Sequence, residues 1–259
     1  MSKGLRWILI CLCLIITVGL IIYIYELRNI EVPDTAVREP REQHVIEAPD
    51  VEVEPTIPLY EQVIEPNTKP QELLPNLAHL REQHSNPDII GFIVIPNTNI
   101  SYPVVQTGNN DFYLYHDINW NVSSAGSIFL DYENNLYDLS DDNFIIYGHN
   151  MRNGSKFHNL RHFHREDFFR AHTYILLDTP YHETIWDIFS FFHTTTDFCY
   201  LTTNFHNRDT FYEFLMELQR RSIHTTDIVL SDEDQILILS TCAAIGGDNR
   251  YVVVARLRP

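Results

Sequence analysis

Apolar positions along this chain fall into three regimes. Residues 7–25, WILICLCLIITVGLIIYIY, are apolar almost without interruption, while residues 26–70 scatter single Val, Ile and Leu among Glu, Asp and Pro. From residue 71 onward the apolar residues come in short dense runs, and these runs predict the folded elements. Leu73, Leu74, Leu77 and Leu80 share one helical face, with Asn86-Pro87 to stop the helix. Strand-like runs follow at GFIVI (91–95), YPVVQ (102–106), GSIFL (126–130), NFIIY (143–147), TYILLD (173–178), ETIWDIFSFF (183–192), ILILST (236–241) and YVVVARL (251–257). Several alternate in and out; others are apolar throughout, as strands covered on both faces are. Two further helices are predicted. One spans about 157–171, with Phe157, Leu160, Phe163, Phe168 and Phe169 as its apolar set; the other spans 208–221, with Phe211, Phe214, Leu215 and Leu218 on one face. Asn207 can cap that last helix, Asp209 suits its positive end, and Arg220 and Arg221 suit its negative end. Eight short strands with few helices favour a closed barrel or a sandwich over a doubly wound sheet.

The first regime has the length of a membrane span: 19 residues without a charge. No A-x-A cleavage pattern follows it, which favours a retained anchor over a removed signal peptide. Lys3 and Arg6 leave residues 1–6 cytoplasmic by the positive-inside rule, so the rest of the chain lies outside the membrane. Residues 26–70 hold Pro33, Pro40, Pro49, Pro55, Pro58, Pro66 and Pro70 among like charges, the composition of a semi-extended stalk. The expected order is then a cytoplasmic N-terminus (1–6), a transmembrane anchor (7–25), an acidic Pro-rich linker (26–70) and an extracellular domain (71–259).

Charge narrows the partners. Residues 26–70 carry 11 acidic and 4 basic side chains, and residues 71–259 carry 24 and 12. Such an acidic surface excludes nucleic acid as a partner, because phosphate binding needs a basic face. Of the four cysteines, Cys11 and Cys13 lie in the apolar run, and only Cys199 and Cys242 remain outside it. That is too few for a disulfide scaffold. Two readings stay open: a single Cys199–Cys242 bridge, or a free working thiol.

Cys242 ends the run ILILST, where a sheet would hold the backbone rigid and expose the side chain. A thiol with an ordinary pKa of about 8.5 needs a base or a positive neighbour to become a nucleophile. His149, in NFIIYGHNM, again closes an apolar strand run. Arg250 opens the run after the Cys242 loop, and two strands joined by so short a connection are antiparallel neighbours. Arg250 therefore returns near Cys242, able to hold a carbonyl oxygen or an oxyanion. Taken singly, each has an ordinary explanation: a buried thiol, a packed histidine, a surface charge. Together they supply a thiolate, a proton shuttle and an oxyanion partner. His158, Arg161, His162 and His164 in HNLRHFH form the other cluster, but no acid or cysteine at ligand spacing accompanies them, so a solvated helix face is preferred to a metal site. No cofactor is expected.

With these residues in place the sequence resembles the sortases, membrane-anchored cysteine transpeptidases, and within them the class B sortases. Ser240-Thr241-Cys242 meets the family's cysteine strand end, Arg250 in RYVVVARL its downstream arginine, and YGHNM (147–151) followed by GSKFHNL its histidine. ISYPVVQTGNNDFYLYHD and AGSIFLDYENN look like class B as well, so the resemblance covers about residues 86–257. It implies an eight-stranded β-barrel with peripheral helices. It also implies a reaction in which Cys242 attacks the Thr carbonyl of a C-terminal sorting signal of N/S/P-P-x-T-x type. His149 serves as acid and base, and Arg250 and the Ala243 backbone N–H hold the oxyanion. A peptidoglycan cross-bridge or stem-peptide amine, or a pilin lysine, then releases the thioester.

Substrate-binding positions carry over one at a time. Asn110 and Leu114 match the family's helix beside the groove, and Tyr147 precedes the histidine. Thr196, Tyr200 and Leu201 match the loop that closes over the peptide, while Ser240 and Thr241 flank the nucleophile. Plain packing is the competing reading for Leu114 and Leu201. Two departures stand out. Cys199 adjoins Tyr200, where a regulatory bridge to Cys242 can be drawn, and Ala243 stands where several class B members carry an acid. Two other classes compete with the transpeptidase: a hydrolytic cysteine peptidase, and a non-catalytic stalked surface domain with Cys199 and Cys242 bridged.

Overall fold

The computed structural model describes residues 72–195, 198–241 and 249–259. The anchor and linker expected over 7–70, together with Thr196, Cys242 and Ala243, lie outside the described residues. Among the described residues no helix is long and apolar enough to cross a membrane.

Helix α1 (Pro75–His84) leads into β1 (Ile89–Val94), β2 (Ser101–Val105), β3 (Ile128–Leu130) and β4 (Asn143–Gly148). A 3₁₀ helix (Phe157–His164) and α2 (Glu166–Ala171) precede β5 (Tyr174–Asp178) and β6 (Glu183–Thr194). Helix α3 (Arg208–Arg221), β7 (Ile236–Thr241) and β8 (Arg250–Leu257) complete the order. The strands close into a barrel, β1-β2-β3-β4-β7-β8-β6-β5, sealed by the β1–β5 ladder. Pairs β2–β3 and β4–β7 are parallel and the others antiparallel. The barrel, rather than the sandwich, is therefore the solution, and all eight expected strands are present within one or two residues of their predicted ends.

The runs that were apolar throughout are strands buried on both faces. In β7, Leu237 and Leu239 point into the barrel beside Phe144, Ile146, Trp186 and Val253. Ile236 and Ile238 point the other way, to Phe211, Leu215 and Leu218 of α3. Strands β4 and β8 divide their side chains likewise, with Ile145, Val252 and Val254 on the α3 side. Helix α3 can cover that face because both its ends are satisfied. The Asn207 side chain accepts from Thr210 N, Thr210 answers the Asn207 N–H, Asp209 stands in the first turn, and Arg220 and Arg221 stand in the last.

Two helical expectations are corrected. The helix predicted over 157–171 is broken at Arg165, whose backbone is extended (ψ 130°) and begins α2. The apolar period survives the break because Phe163, Phe168 and Phe169 turn onto one another across it. Asn110 and Leu114 do not lie on a helix: residues 109–115 form bends and turns. The Asn109 side chain accepts from the backbone N–H groups of both Asp111 and Phe112, and only one further turn, Tyr115 N to Phe112 O, is made. That is N-cap geometry, but the turn it opens is not continued: the His116 ring nitrogen, 2.8 Å away, takes the Phe112 carbonyl that a helix would offer to the His116 backbone N–H. The first helix also starts later than its leucine face suggested, at Pro75, and ends where Ser85 turns left-handed (φ 49°).

Gly148, last residue of β4, leaves no room for a side chain. A Cβ there would stand 2.9 Å from the Phe157 ring and closer still to Ile128. Gly148→Ala is expected to lose about 1–3 kcal/mol of stability through this overpacking, read as a fall in the urea midpoint at unchanged m.

Candidate active site

Three strand ends meet at one rim of the barrel. The parallel β4–β7 ladder pairs Tyr147 with Ser240 and Gly148 with Thr241. On the other side of β7, the antiparallel ladder pairs Ser240 with Val252, and Tyr251 N donates to Thr241 Oγ1 at 2.9 Å. His149 thus follows one member of the last β4–β7 pair, and Arg250 opens the strand that returns beside the other. Neighbouring strands lie about 4.8 Å apart, so both residues stand near the β7 end. The expectation that Arg250 comes back antiparallel to the 236–241 strand is met.

His149 is fixed on two sides. Its ring Nε2 lies 2.8 Å from the Leu114 carbonyl oxygen, and its own carbonyl accepts from Phe157 N at 2.9 Å. A carbonyl can only accept, so Nε2 carries the hydrogen and Nδ1 is the nitrogen left to exchange a proton. The loop after it is closed by an Asn150–Lys156 bridge, and Lys156 N donates to the Tyr102 hydroxyl at 2.9 Å. Burial holds the Lys156 ammonium below its ordinary pKa, with Asp117 opposing that shift. Arg250 sits beside Thr194 of β6 in the ladder, and its Nη1 is buried with no hydrogen-bond partner among the described residues. A buried guanidinium N–H without a partner is costly, and a ligand oxygen placed there satisfies it.

The remaining predicted residues divide into two groups. Asn110 and Tyr147 are drawn together by Asp131, whose Oδ2 accepts from Asn110 Nδ2 at 2.9 Å and from the Tyr147 hydroxyl at 2.8 Å. Asp131 is only 5% exposed, and its Oδ1 accepts from Glu133 N at 3.0 Å. Leu114 joins this side through its carbonyl rather than its side chain. Tyr200 and Ser240 form a second group, bonded hydroxyl to hydroxyl at 2.8 Å and both buried. Leu201 next to them is 42% exposed, so it is not a core leucine. Thr241 is buried and acts as a backbone clamp for β8 rather than as an open side chain.

Cys199 is a free, exposed thiol, 3.8 Å from Thr202 Oγ1; the alternative that bridges it to Cys242 falls outside the described residues. His158 and His162 stand ring to ring at 5.7 Å on the 3₁₀ helix. Burial first, then the charges of His158, Arg161 and Arg165, hold His162 below its ordinary pKa. Asp131 was not singled out in the sequence. Its signal was faint: an acid immediately after the apolar run IFL, in the place where a strand normally ends in a turn.

A barrel of this topology brings an imidazole and a buried guanidinium to the end of the strand that Cys242 follows in sequence, the framework a cysteine transpeptidase needs. Comparison with known proteins agrees. A family model described as "Sortase domain" matches residues 93–258. "Sortase B" of Listeria monocytogenes is 39% identical over 160 residues, which cover 62% of this chain and 65% of that protein. "Sortase B" of Staphylococcus aureus is 34% identical over 186 residues, covering 69% of this chain and 76% of its own. Among solved structures, a Staphylococcus aureus sortase B–substrate complex aligns with a TM-score of 0.68 at 32% identity, over 72% of this chain and 86% of that one. Clostridium perfringens sortase B aligns at 0.65 and 37% identity, over 70% and 99%. The chain belongs to the sortase family, and within it to class B, and it spans 65% of the length of the Listeria protein.

Asp131 offers a direct check on this side of the site. Asp131→Ala strands the Asn110 amide and the Tyr147 hydroxyl and is expected to cost about 1–3 kcal/mol in urea unfolding. Asp131→Asn, which keeps one acceptor oxygen, should cost less.

Proposed function

We propose that the chain is a cysteine transpeptidase that joins secreted proteins to the cell wall, with Cys242 as nucleophile, His149 as acid and base, and Arg250 as oxyanion partner. The observation that carries this reading is the register Tyr147↔Ser240, Gly148↔Thr241 and Ser240↔Val252, which brings residues 149 and 250 to the end of the strand that Cys242 follows. The Cys242 sulfur, as thiolate, attacks the carbonyl of a Thr near the C-terminus of a substrate protein. The oxyanion that forms is held by Arg250, whose buried Nη1 has no other partner among the described residues, and by the Ala243 backbone N–H. His149 gives a proton to the departing amine through Nδ1 as the C–N bond breaks, leaving a thioester on Cys242. An incoming amine from the wall then attacks that carbonyl, His149 takes its proton, and the C–S bond breaks.

The signal expected is a pentapeptide of N/S/P-P-x-T-x type, lying against Asn110, Leu114, Tyr147 and Ser240, with Thr196, Tyr200 and Leu201 on the loop beside it. The acceptor is a cross-bridge or stem-peptide amine, with a pilin lysine as the acceptor in a pilus-building variant. Residues 7–25 would hold the enzyme in the membrane, with residues 26–70 as spacer and the catalytic domain of 71–259 on the outer face. The Staphylococcus aureus structure named as a substrate complex supports peptide binding on this barrel.

A fluorogenic sorting peptide separates the classes: product joined to added amine supports transpeptidation, whereas hydrolysis unaffected by amine supports the peptidase. Cys242→Ala and His149→Ala are expected to abolish cleavage. Arg250→Ala should lower kcat by about 10²–10³-fold, the usual loss for one oxyanion donor, at little change in fold by circular dichroism. Cleavage retained by Cys242→Ala contradicts the assignment.

A further inference from the structure

Residues 198–205, between β6 and α3, belong to no strand or helix, so no ladder fixes them. Among the described residues, three side-chain hydrogen bonds tie this segment to the barrel. The Tyr200 and Ser240 hydroxyls meet at 2.8 Å, Asn143 Nδ2 donates to the Thr202 carbonyl at 2.7 Å, and the Thr203 hydroxyl donates to Glu133 Oε2. Ser240 and Asn143 are buried residues of β7 and β4. Glu133 is the odd one: it stands on the exposed turn between β3 and β4, and the catalytic scheme above gives it no part.

Both oxygens of the Glu133 carboxylate are taken by hydroxyls, Oε1 by Tyr132 at 3.0 Å and Oε2 by Thr203. Those two bonds, that of Thr203 first, hold its carboxyl below the usual range. Thr203 is only 9% exposed, and its oxygen also accepts from Asn204 Nδ2 at 3.1 Å. A hydroxyl so enclosed needs an acceptor for its proton, and a carboxylate makes the stronger bond. The same turn reaches the other side of the site. The Glu133 N–H donates to Asp131 Oδ1 at 3.0 Å, and Asp131 Oδ2 holds Asn110 and Tyr147. Between them, Tyr132 N donates to Asn110 Oδ1 at 3.0 Å. Three consecutive residues therefore grip both the Asn110–Tyr147 pair and the segment that carries Tyr200 and Leu201.

We propose that Glu133 is a positioning residue for the peptide: through Thr203 it fixes residues 198–205 relative to Asn110 and Tyr147, and so sets affinity for the sorting signal rather than the rate of chemistry. The proposal rests on the transpeptidase reading, in which Tyr200 and Leu201 lie beside the peptide. Leu201 is exposed, so its place comes from its neighbours: Tyr200 on Ser240, Thr202 on Asn143 and Thr203 on Glu133. With the last of these bonds cut, the segment has to be ordered at binding, and that ordering is subtracted from affinity. His149 and Arg250 depend on the β4, β7 and β8 register and are untouched by it.

The test uses the full chain and a fluorogenic peptide carrying Asn-Pro-Ala-Thr-Ala. Glu133→Ala and Thr203→Val are each expected to raise KM for the peptide about tenfold, the usual contribution of one hydrogen bond to a charged group, with kcat and KM for the amine unchanged. The double variant should lose no more than Glu133→Ala alone, because the two residues share one bond. Thr203→Ser keeps the hydroxyl and should restore the parent KM. Independently of turnover, amide hydrogen exchange over 198–205 should speed up at least about tenfold in Glu133→Ala, while β4 and β7 keep their protection. A loss confined to kcat, additive losses in the double variant, a Thr203→Ser variant as weak as Thr203→Val, or unchanged exchange over 198–205 each overturns the proposal. A parent chain that never cleaves the peptide counts against the transpeptidase reading, while the exchange result still decides the clamp.

Discussion

The constraint on which the site depends is the register of three adjacent strands, β4, β7 and β8. A one-residue slip normally flips side chains from core to solvent and is forbidden by hydrophobicity. Here that safeguard is weak, because all three strands are apolar on both faces, facing the barrel interior on one side and α3 on the other. Register must come from groups that fit in one place only. Gly148 fits against Phe157 because it has no side chain. The Ser240 hydroxyl finds Tyr200, and the Thr241 hydroxyl finds the Tyr251 N–H. These three small residues occupy the last positions before the rim. A slip would bury an unpaired hydroxyl or force a larger residue against Phe157, each worth a kcal/mol or more by the usual cost of such defects, about 1–3 kcal/mol.

Chemistry follows from that rigidity. His149 has little freedom, since its ring is tied to Leu114 and its carbonyl to Phe157. Arg250 is the reverse case: its backbone is laddered to β6 while Nη1 is left buried without a partner among the described residues. One residue is satisfied and oriented; the other is desolvated and unsatisfied, the arrangement expected where negative charge has to develop. Asp131 extends the same logic away from the rim, gathering Asn110 and Tyr147 with one carboxylate oxygen. The loops at the rim begin from strand ends whose spacing is set by the core.

Much of this was legible in the sequence because it is local. The strand runs, the Asn207 cap and the arginine after a short connection are all properties of fewer than a dozen consecutive residues. The proposed triad was legible only as three residue types at strand ends; the sequence resemblance joined them. What escaped was non-local. The break at Arg165 leaves the apolar period intact, so the hydrophobic pattern could not announce it. The turn at 109–115 was overlooked because the His116 side chain, not a continuing helix backbone, meets the Phe112 carbonyl. Asp131 gains its role from partners 21 and 16 residues away. Arg221, read as a helix-dipole residue, also lies over the Phe198 ring, a contact across a loop that no periodicity encodes.

The central proposal is that Cys242, which follows the β7 end, brings its sulfur between the His149 imidazole and the Arg250 guanidinium. The most direct measurement is a crystal structure of the chain trapped covalently with a peptide ketone that alkylates the active thiol. The account predicts a bond from Cys242 Sγ, the ketone oxygen on Arg250 Nη1, and the His149 ring beside the sulfur with Nε2 still on the Leu114 carbonyl. A peptide bound elsewhere, or Arg250 and His149 turned to other faces of the barrel, would contradict it.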